Sequence, residues 1–362
     1  MTVGLDDVAR DTNRESSMQI AYREFDLPLR HPFRISRGEV AVQETFVVQL
    51  GQAGEFGYGE ATTNSYYGVT IESMSAAVES VRPVLERAEW MDPAALVAEL
   101  AGHLAGQEFA LAALDEAIHD LWGKLRREAV FRLWGLTAEN LVPSCFTLGI
   151  DTPERMVDKL HEAAGWPIYK IKLGTADDLG IVRELRRHTD APFRVDANCG
   201  WTADEAIALA PELRDLGVEY IEQPLPAADR DGARRLFRDS ALPIIADESC
   251  VVEADVDSCQ GLFHGINIKL VKCGGLAAAR RMIVRARQLG LKVMIGCMTE
   301  STVGISALAQ LLPLVDYADM DGAALLARDI ATGVRIERGE CVYSSRPGTG
   351  VRLDSGPLLL AE

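Results

Sequence analysis

The sequence has little of what several broad classes of protein require. No apolar run approaches the roughly 18 residues that a membrane-spanning helix needs, and residues 1–17 are polar and charged, without the apolar centre of a signal peptide. Lysine and arginine number 37 against 54 acidic residues, and the resulting net charge of −17 disfavours binding to nucleic acid or to an anionic membrane. We expect residues 1–17 to be loose and the protein to be cytoplasmic.

Cysteine pairs are also missing. The seven cysteines are odd in number and contain no CxxC spacing, which argues against a disulfide framework or a zinc site and fits a reducing compartment. Hydrophobic residues, in contrast, make up 48% of the chain, and 362 residues exceed one domain of about 150. The composition is that of an ordinary enzyme with a sizeable core, and the length predicts a barrel with an accessory domain.

Two patterns follow one another along the chain, and the change falls near residues 130–142. The first is α+β, and Gly54, Gly57 and Gly59 are expected to interrupt its third strand. Its predicted strands are 18–27 and 44–50, and its predicted helices are 71–87, 93–104 and 109–126.

The second pattern alternates short apolar runs with amphipathic helices, which predicts a closed parallel α/β barrel. In such a barrel the chemistry lies at the carboxyl ends of the strands. The predicted strands are 143–149, 168–173, 193–196, 218–222, 243–246, 265–269, 292–296 and 315–319.

Three carboxylates fall at ends of successive predicted strands. Asp196, Glu222 and Asp247 are 26 and 25 residues apart, and neighbouring strands lie about 4.8 Å apart, so the three side chains can converge on one point. Three anions in one place would repel, and a hard divalent cation with oxygen ligands, most plausibly Mg²⁺, removes that repulsion. The alternative is three separate strand caps.

Lysines flank this predicted metal site. Lys170 and Lys172 are two apart on one strand and share a face, where burial and like charge would lower their pKa values; solvated lysines on an edge strand are the alternative. Lys269 lies two strands beyond Glu222, so it would face Lys172 across the barrel, although alone it could be structural. Two such bases suit removal and return of a proton α to a carboxylate. Lys272 is expected to be solvated.

Five motifs in this region resemble the enolase superfamily, in its muconate lactonizing enzyme subgroup, over residues 18–358. They are Tyr169-Lys170-Ile171-Lys172, Arg194-Val195-Asp196-Ala197-Asn198, Ile221-Glu222-Gln223-Pro224, Ala246-Asp247-Glu248-Ser249 and Ile266-Asn267-Ile268-Lys269.

The resemblance implies a modified TIM barrel, (β/α)7β, with an α+β capping domain. The capping domain would span residues 18–130, completed by 340–362, and the barrel 131–339. The resemblance also implies that Lys172 and Lys269 are the acid/base pair and that Lys170 contacts the enediolate oxygens. Asp196, Glu222 and Asp247 would be the ligands of a Mg²⁺ ion that stabilises the enediolate.

The pair Asp319 and Asp321 carries the expectation about substrate. Residues two apart on a strand share a face, so both carboxylates can hold one ammonium group. Subgroup members with this pair resemble dipeptide epimerases, which invert the α-carbon of the C-terminal residue; Thr147, Cys297 and Met298 would also contact the peptide. The alternative role for the two aspartates is that of strand caps. The alternative functions for the protein are an N-acylamino acid racemase or o-succinylbenzoate synthase, and a non-catalytic ligand-binding barrel. A homo-oligomer is a further open alternative, since such barrels often assemble.

The preferred dipeptide is open at this level. The segments 32–38 and 66–68 are expected to cover the barrel mouth. Arg37 or Arg34 could pair with a substrate glutamate, but Gly38 stands where relatives selective for Ala-Glu carry an arginine, which makes a hydrophobic or broad specificity an alternative.

Overall fold

The computed structural model describes residues 18–88 and 92–358. The expectation that residues 1–17 are loose lies outside the described residues, as do the last four residues of the segment 340–362.

The N-terminal part begins with an antiparallel three-stranded sheet in the order β1-β2-β3. Strands β1 (Gln19–Ile35) and β2 (Gly38–Gln52) form one long hairpin, paired from Gln19 opposite Gly51 to Ile35 opposite Gly38. Both strands are longer than predicted, because the chain turns only at Ser36 and Arg37. The tip of this hairpin therefore reaches well beyond the sheet.

Strand β3 (Glu55–Thr62) runs without interruption through Gly57 and Gly59, so the expected interruption is wrong. These glycines bring the sheet close to a helix. A Cβ atom at Gly59 would lie 2.0 Å from the carbonyl oxygen of Ala113, and one at Gly57 would lie 2.2 Å from that of Ala117. The absent side chains allow backbone-to-backbone packing.

Four helices follow this sheet, and their ends carry recognisable caps. The first begins at a capping box between Thr70 and Ser73, and the second at Asp92 followed by Pro93. Their bounds are α1 (Ile71–Arg87), α2 (Pro93–His103), α3 (Glu108–Arg126) and α4 (Val130–Leu133).

The second part is an eight-stranded parallel sheet whose strands follow in chain order. It closes on itself through a parallel bridge between Ser144 and Ala318, and Cys145 N donates to Ala318 O at 3.2 Å. The predicted α/β barrel is confirmed. Its strands are β4 (Phe146–Leu148), β5 (Tyr169–Lys172), β6 (Phe193–Asp196), β7 (Val218–Glu222), β8 (Ile244–Ala246), β9 (Gly265–Ile268), β10 (Lys292–Gly296) and β11 (Tyr317–Asp319).

Helices cover the outside of the barrel in all connections but one. Between β8 and β9 the described chain has two short 3₁₀ turns, Glu253–Asp255 and Asp257–Cys259. The barrel helices are α5 (Pro153–Glu162), α6 (Asp178–Arg186), α7 (Ala203–Asp215), α8 (Arg230–Asp239), α9 (Leu270–Cys273), α10 (Leu276–Gln288) and α11 (Thr302–Leu308). No helix in residues 18–88 and 92–358 is long and apolar enough to cross a membrane.

After the barrel the chain returns to the N-terminal part. Thr349 N donates to Asp120 of α3 at 2.8 Å, and Leu358 N donates to Gln49 of β2 at 2.6 Å. The last short strands are β12 (Ala331–Thr332), β13 (Arg335–Glu337), β14 (Glu340–Val342) and β15 (Arg352–Leu353). These contacts are consistent with a capping domain completed by the C-terminal segment, and the domain limits themselves stay a prediction.

Candidate active site

Three carboxylates converge at the carboxyl ends of β6, β7 and β8. Asp196 and Glu222 end their strands in register with one another, and Asp247 follows β8 directly. One oxygen atom from each side chain lies within 4.8 Å of the others, and all three are buried. They form one cluster rather than three separate strand caps.

The cluster fits a hard divalent cation. Among the described residues Glu222 Oε2 accepts no hydrogen bond, and its charged neighbour is Lys170 Nζ at 2.7 Å. Burial raises the pKa of the Glu222 carboxyl to about 7, with Lys170 opposing the rise and Asp196 adding to it. An unsatisfied buried oxygen beside two further carboxylates is an all-oxygen ligand set of the kind that Mg²⁺ prefers.

Lys172 and Lys269 stand on opposite sides of the cluster. Lys172 Nζ donates to Asp196 Oδ2 at 2.6 Å, and Lys269 Nζ lies 3.0 Å from Asp247 Oδ2. Lys172 ends β5 and Lys269 follows β9, so the three carboxylate-bearing strands lie between them. Both side chains are buried and both line the same cavity.

Lys170 lies deeper and is surrounded by carboxylates. Its Nζ atom is 2.8 Å from Asp319 Oδ2 and 3.3 Å from Asp196 Oδ2, besides the Glu222 contact. Strand β5 lies between β4 and β6 with all four residues buried, so the alternative of solvated lysines on an edge strand is wrong.

The expected lowering of the lysine pKa is wrong for Lys170. Burial lowers the pKa of Lys170, but the charges of Asp319, Glu222 and Asp196 outweigh it and hold the pKa well above its ordinary value. Burial likewise lowers the pKa of Lys269, but the charges of Asp247, Glu222 and Glu248 together outweigh it and raise the pKa above its ordinary value. Anions next to each lysine, and not the like charge of the other lysine, dominate in this arrangement.

Lys272 is a site residue whose burial the sequence did not indicate. The expectation that it is solvated is wrong, since only 1% of it is exposed. Its Nζ donates to Asp247 Oδ1 at 2.5 Å and to the carbonyl oxygens of Asp247 and Cys250 at 2.7 and 3.2 Å. One signal of this burial was present in the sequence. Lys272 has apolar neighbours in Leu270–Cys273 and a glycine pair follows them, a pattern that indicates a buried turn.

Two amides also hold the carboxylates in place. Gln223 Oε1 accepts from Asp247 N at 2.9 Å and from Ser249 N at 3.0 Å, and Asn267 Nδ2 donates to Glu222 Oε1 at 2.8 Å. Gln223 has φ of 32°, an unusual backbone conformation at the point where the loop leaves β7. Gln223 and Asn267 were present in the sequence motifs, but nothing local assigned them these contacts.

A second acidic pair lies at the end of β11. Asp319 Oδ2 accepts from Lys170, while Asp321 Oδ2 accepts from the backbone N of Thr147 at 2.5 Å. Thr147 Oγ1 lies 3.3 Å from one oxygen of each carboxylate. Burial and the charge of Asp319 raise the pKa of Asp321 well above its ordinary value, and Asp321 has no ion pair among residues 18–88 and 92–358.

A cavity of about 270 Å³ joins the two acidic groups. Thr147, Cys297 and Met298 line it, as do the predicted lysines. A ligand atom of Cys297 lies within 4.8 Å of those of Asp319 and Asp321. Burial, followed by the charges of both aspartates, raises the pKa of the Cys297 thiol, which favours an ammonium group over a thiolate-bound metal at this end.

The tip of the β1–β2 hairpin covers this cavity. Arg37 Nη2 lies 2.5 Å from Glu248 Oε1, Arg37 Nη1 donates to Asn198 O at 2.9 Å, and the guanidinium lies over the Tyr66 ring at 4.3 Å. Segments 32–38 and 66–68 thus contribute to the roof, as expected. Arg37 is engaged with the barrel loops and is not free for a substrate carboxylate.

Two family models match the chain. Residues 18–135 match the mandelate racemase / muconate lactonizing enzyme N-terminal domain, and residues 154–356 match the enolase C-terminal domain-like family. The chain belongs to the enolase superfamily. The resemblance stated from the sequence motifs is therefore confirmed.

Several relatives that match over most of the chain are epimerases. The L-Ala-D/L-amino acid epimerase of Maribacter sp. is 51% identical, and that of Flavobacterium johnsoniae is 49% identical; each match covers 93% of this chain and 100% of the relative. The structure of a dipeptide epimerase from Methylococcus capsulatus, complexed with Mg and the dipeptide L-Arg-D-Lys, is 32% identical with a TM-score of 0.84, over 92% of this chain and 99% of that one.

Proposed function

We propose that this protein is a Mg²⁺-dependent dipeptide epimerase that inverts the α-carbon of the C-terminal residue by a two-lysine 1,1-proton transfer. The observation that carries the proposal is a single cavity that reaches Asp247 of the carboxylate cluster, with a lysine on each side of that cluster and a second acidic pair in the same lining. The dipeptide activities of the relatives support it.

Asp196, Glu222 and Asp247 are the proposed metal ligands. When bound there, Mg²⁺ would hold the substrate carboxylate, stabilise the negative charge that develops once the α-proton leaves, and lower the pKa of Lys170 and Lys269 by adding positive charge beside them.

Lys172 and Lys269 are the proposed acid/base pair. One of them, neutral, takes the proton from the α-carbon on its side, and the other, as an ammonium, returns a proton on the opposite side. One proton is removed and one is added, so the substrate changes only its configuration. Lys170, fixed among three carboxylates, would supply positive charge to the substrate carboxylate and would not exchange its own proton.

Asp319 and Asp321 are the proposed anchor for the free amino group. Lys170 already neutralises Asp319, whereas Asp321 accepts hydrogen bonds from Thr147, has no ion pair among residues 18–88 and 92–358, and has a raised pKa. An ammonium group would pair with Asp321 and restore its ordinary ionisation. An acylated amine has no charge for this purpose, which favours a dipeptide over an N-acylamino acid.

Isotope exchange tests the reaction. With Mg²⁺ in D₂O, we expect deuterium at the α-carbon of the C-terminal residue of L,L-dipeptides, detected by mass spectrometry, and no exchange after chelation of the metal. Lys172→Ala and Lys269→Ala should each lower epimerisation by at least roughly a hundredfold, the scale of a general acid or base.

Starting from L,L- and L,D-isomers separates the two lysines. Each variant should retain exchange without inversion from only one isomer, the one whose α-proton faces the remaining lysine. Epimerisation that survives in both single variants would refute the two-base mechanism. Tight peptide binding with no exchange in the unmodified protein would support the non-catalytic alternative.

A second experiment separates dipeptides from N-acylamino acids. We expect Asp319→Asn/Asp321→Asn to abolish dipeptide exchange, because the ammonium loses both counter-charges. Asp204→Asn/Asp239→Asn, in exposed surface pairs with Arg235 and Arg238, is the matched control and should change nothing. Full activity of the site variant, or faster racemisation of N-acetyl or N-succinyl amino acids than of dipeptides, would favour the alternative enzyme.

The proposal extends to the second side chain and to the setting of the protein. Because Arg37 pairs with Glu248, a neutral or hydrophobic C-terminal residue fits better than glutamate. Seven free cysteines favour a reducing, cytoplasmic location, and a homo-oligomer stays a prediction that sedimentation can test.

A further inference from the structure

A second cavity lies beside the proposed active site. It measures about 220 Å³ and lies between the N-terminal sheet and the barrel. Its roof is the segment from Arg30 to Phe33 of β1, and its floor is formed by β4, by α5 and by the 3₁₀ turn Gly322–Leu325. None of the residues assigned to the metal or to proton transfer lines it.

Three residues line both cavities, namely Phe33, Thr147 and Leu325. Thr147 places the start of the second cavity next to the acidic pair. Its backbone N contacts Asp321, and its hydroxyl contacts both Asp319 and Asp321. The second cavity therefore starts at the acidic pair that is proposed to hold the substrate amino group.

Only one part of a dipeptide can reach this space. Its carboxylate is assigned to the metal end and its ammonium group to Asp319 and Asp321, so the chain cannot extend further in either direction. The remaining branch at the α-carbon that carries the ammonium group is the side chain of the N-terminal residue. Because the second cavity begins at Thr147, beside the proposed ammonium site, this side chain is the part of the dipeptide that can enter it.

The walls of the second cavity select an uncharged, apolar occupant. Phe146 and Trp166 pack together with ring centroids 5.1 Å apart, and Ala163, Ala324 and Leu325 add further apolar surface. An apolar cavity of about 150 Å³ is enough to hold benzene, so one of about 220 Å³ is large enough for an aromatic side chain.

The charges at the rim disfavour a cationic occupant. Arg30 donates to Leu326 O and has no ion pair among residues 18–88 and 92–358. Lys159 is paired with Asp151 at 2.9 Å, and the lining carboxylate of Glu162 is taken by His31 at 2.6 Å. A lysine or arginine side chain would meet two cations, of which Arg30 is unpaired among the described residues, and one lining carboxylate that already has a hydrogen bond to His31.

We propose that this cavity is a subsite for the side chain of the N-terminal residue and that it accepts large apolar or aromatic residues. The inference rests on the proposed dipeptide epimerase function and adds to it a substrate class wider than N-terminal alanine. Leu325 and Phe33 line both cavities, and Ala324 lines the second cavity but not the first.

The test compares dipeptides that differ only in the first residue. α-Deuterium uptake is measured for L-Ala-L-Ala, L-Phe-L-Ala and L-Lys-L-Ala with Mg²⁺, for the unmodified protein and for Ala324→Phe. The matched control is Ala327→Phe, on an exposed residue that lines neither cavity. Thermal melting of each variant checks that it is folded, and Ala324→Leu replaces Ala324→Phe if it is not.

We expect the unmodified protein to use L-Phe-L-Ala at least as well as L-Ala-L-Ala and better than L-Lys-L-Ala. In Ala324→Phe the ratio of kcat/KM for L-Phe-L-Ala to that for L-Ala-L-Ala should fall at least roughly tenfold, while Ala327→Phe keeps the ratio. An unchanged ratio in Ala324→Phe, or turnover of L-Ala-L-Ala without L-Phe-L-Ala, would overturn the subsite alone. If none of the dipeptides takes up α-deuterium, the proposed function is overturned as well.

Discussion

Lys272 is the residue on which the position of the Asp247 carboxylate most depends. It is buried, and its ammonium group is shared among Asp247 Oδ1 and carbonyl oxygens that belong to three different residues. It therefore ties the loop after β8 to the end of β9. The charge of Lys272 also offsets part of the repulsion within the three-carboxylate cluster.

Replacing Lys272 with methionine should cost about 3–5 kcal/mol of the free energy of unfolding, because it leaves a buried carboxylate and several carbonyls without their donor. Urea denaturation measures this cost. Lys292→Met is the control: Lys292 is exposed and lies 3.2 Å from Asp316, so its loss should cost less than about 1 kcal/mol. Equal effects of the two substitutions would contradict the structural role given to Lys272.

At the scale of elements, the contact between β3 and α3 fixes the N-terminal sheet against its helix. Gly57 and Gly59 let the strand backbone touch the helix backbone, and two buried carboxylates of α3 accept from the strand, Asp120 from Tyr58 N at 2.9 Å and Glu116 from Glu60 N at 3.0 Å. These bonds satisfy backbone N–H groups of β3, which is an edge strand of its three-stranded sheet.

Gly59→Ala should destabilise the protein by about 3 kcal/mol, because its Cβ would overlap the Ala113 carbonyl and only a backbone shift can relieve it. The matched control is Gly102→Ala in α2, where a Cβ meets nothing within 4 Å and helix propensity favours alanine by up to about 1 kcal/mol. Chemical denaturation of both variants checks the opposite signs. A stable Gly59→Ala protein would mean that the strand and helix are not in this close contact.

At the scale of the whole molecule, buried carboxylates join the N-terminal part to the barrel. Glu60 of β3 accepts from the hydroxyl of Ser301 at 2.5 Å and from Gly304 N at 3.0 Å, and Asp115 of α3 accepts from Ala277 N at 2.8 Å. The two parts thus share hydrogen bonds that water cannot replace.

Protonation of His119 should couple this junction to pH. His119 Nδ1 donates to Asp115 O at 2.9 Å and lies 2.6 Å from Asp115 Oδ1. Burial lowers the pKa of His119, but Asp115 raises it more strongly, with Arg280 opposing, so its folded-state pKa lies above 6.5. Its contribution to stability is thus complete below pH 6.5 and is lost as pH rises through the folded-state value.

We expect the stability difference between the unmodified protein and His119→Gln to be larger at pH 5.5 than at pH 9, measured by urea denaturation at each pH. His188→Gln, at an exposed contact with Glu184, should show a small difference at both values. A larger His119 difference at pH 9 would show that the imidazole is held in its neutral form.

The sequence by itself determined the barrel and the order of its polar strand ends. Apolar runs alternating with helical periods located all eight strands. The spacing of Asp196, Glu222 and Asp247 predicted their convergence, because the end of each strand is marked locally and the carboxyl ends of barrel strands meet at one rim. It also indicated that Lys170 and Lys172 share an inward face.

Only the tertiary structure decided which partner each charged group has. Lys272 turned inward, Arg37 crossed from the hairpin to Glu248, and a second cavity opened between β1 and the barrel at Thr147. These arrangements join residues that are far apart in the chain or that sit in short turns, where neither apolar periodicity nor charge pattern carries a signal. The carboxylates around Lys170, which the local sequence does not place, then raised its pKa, the opposite of the lowering predicted from the sequence.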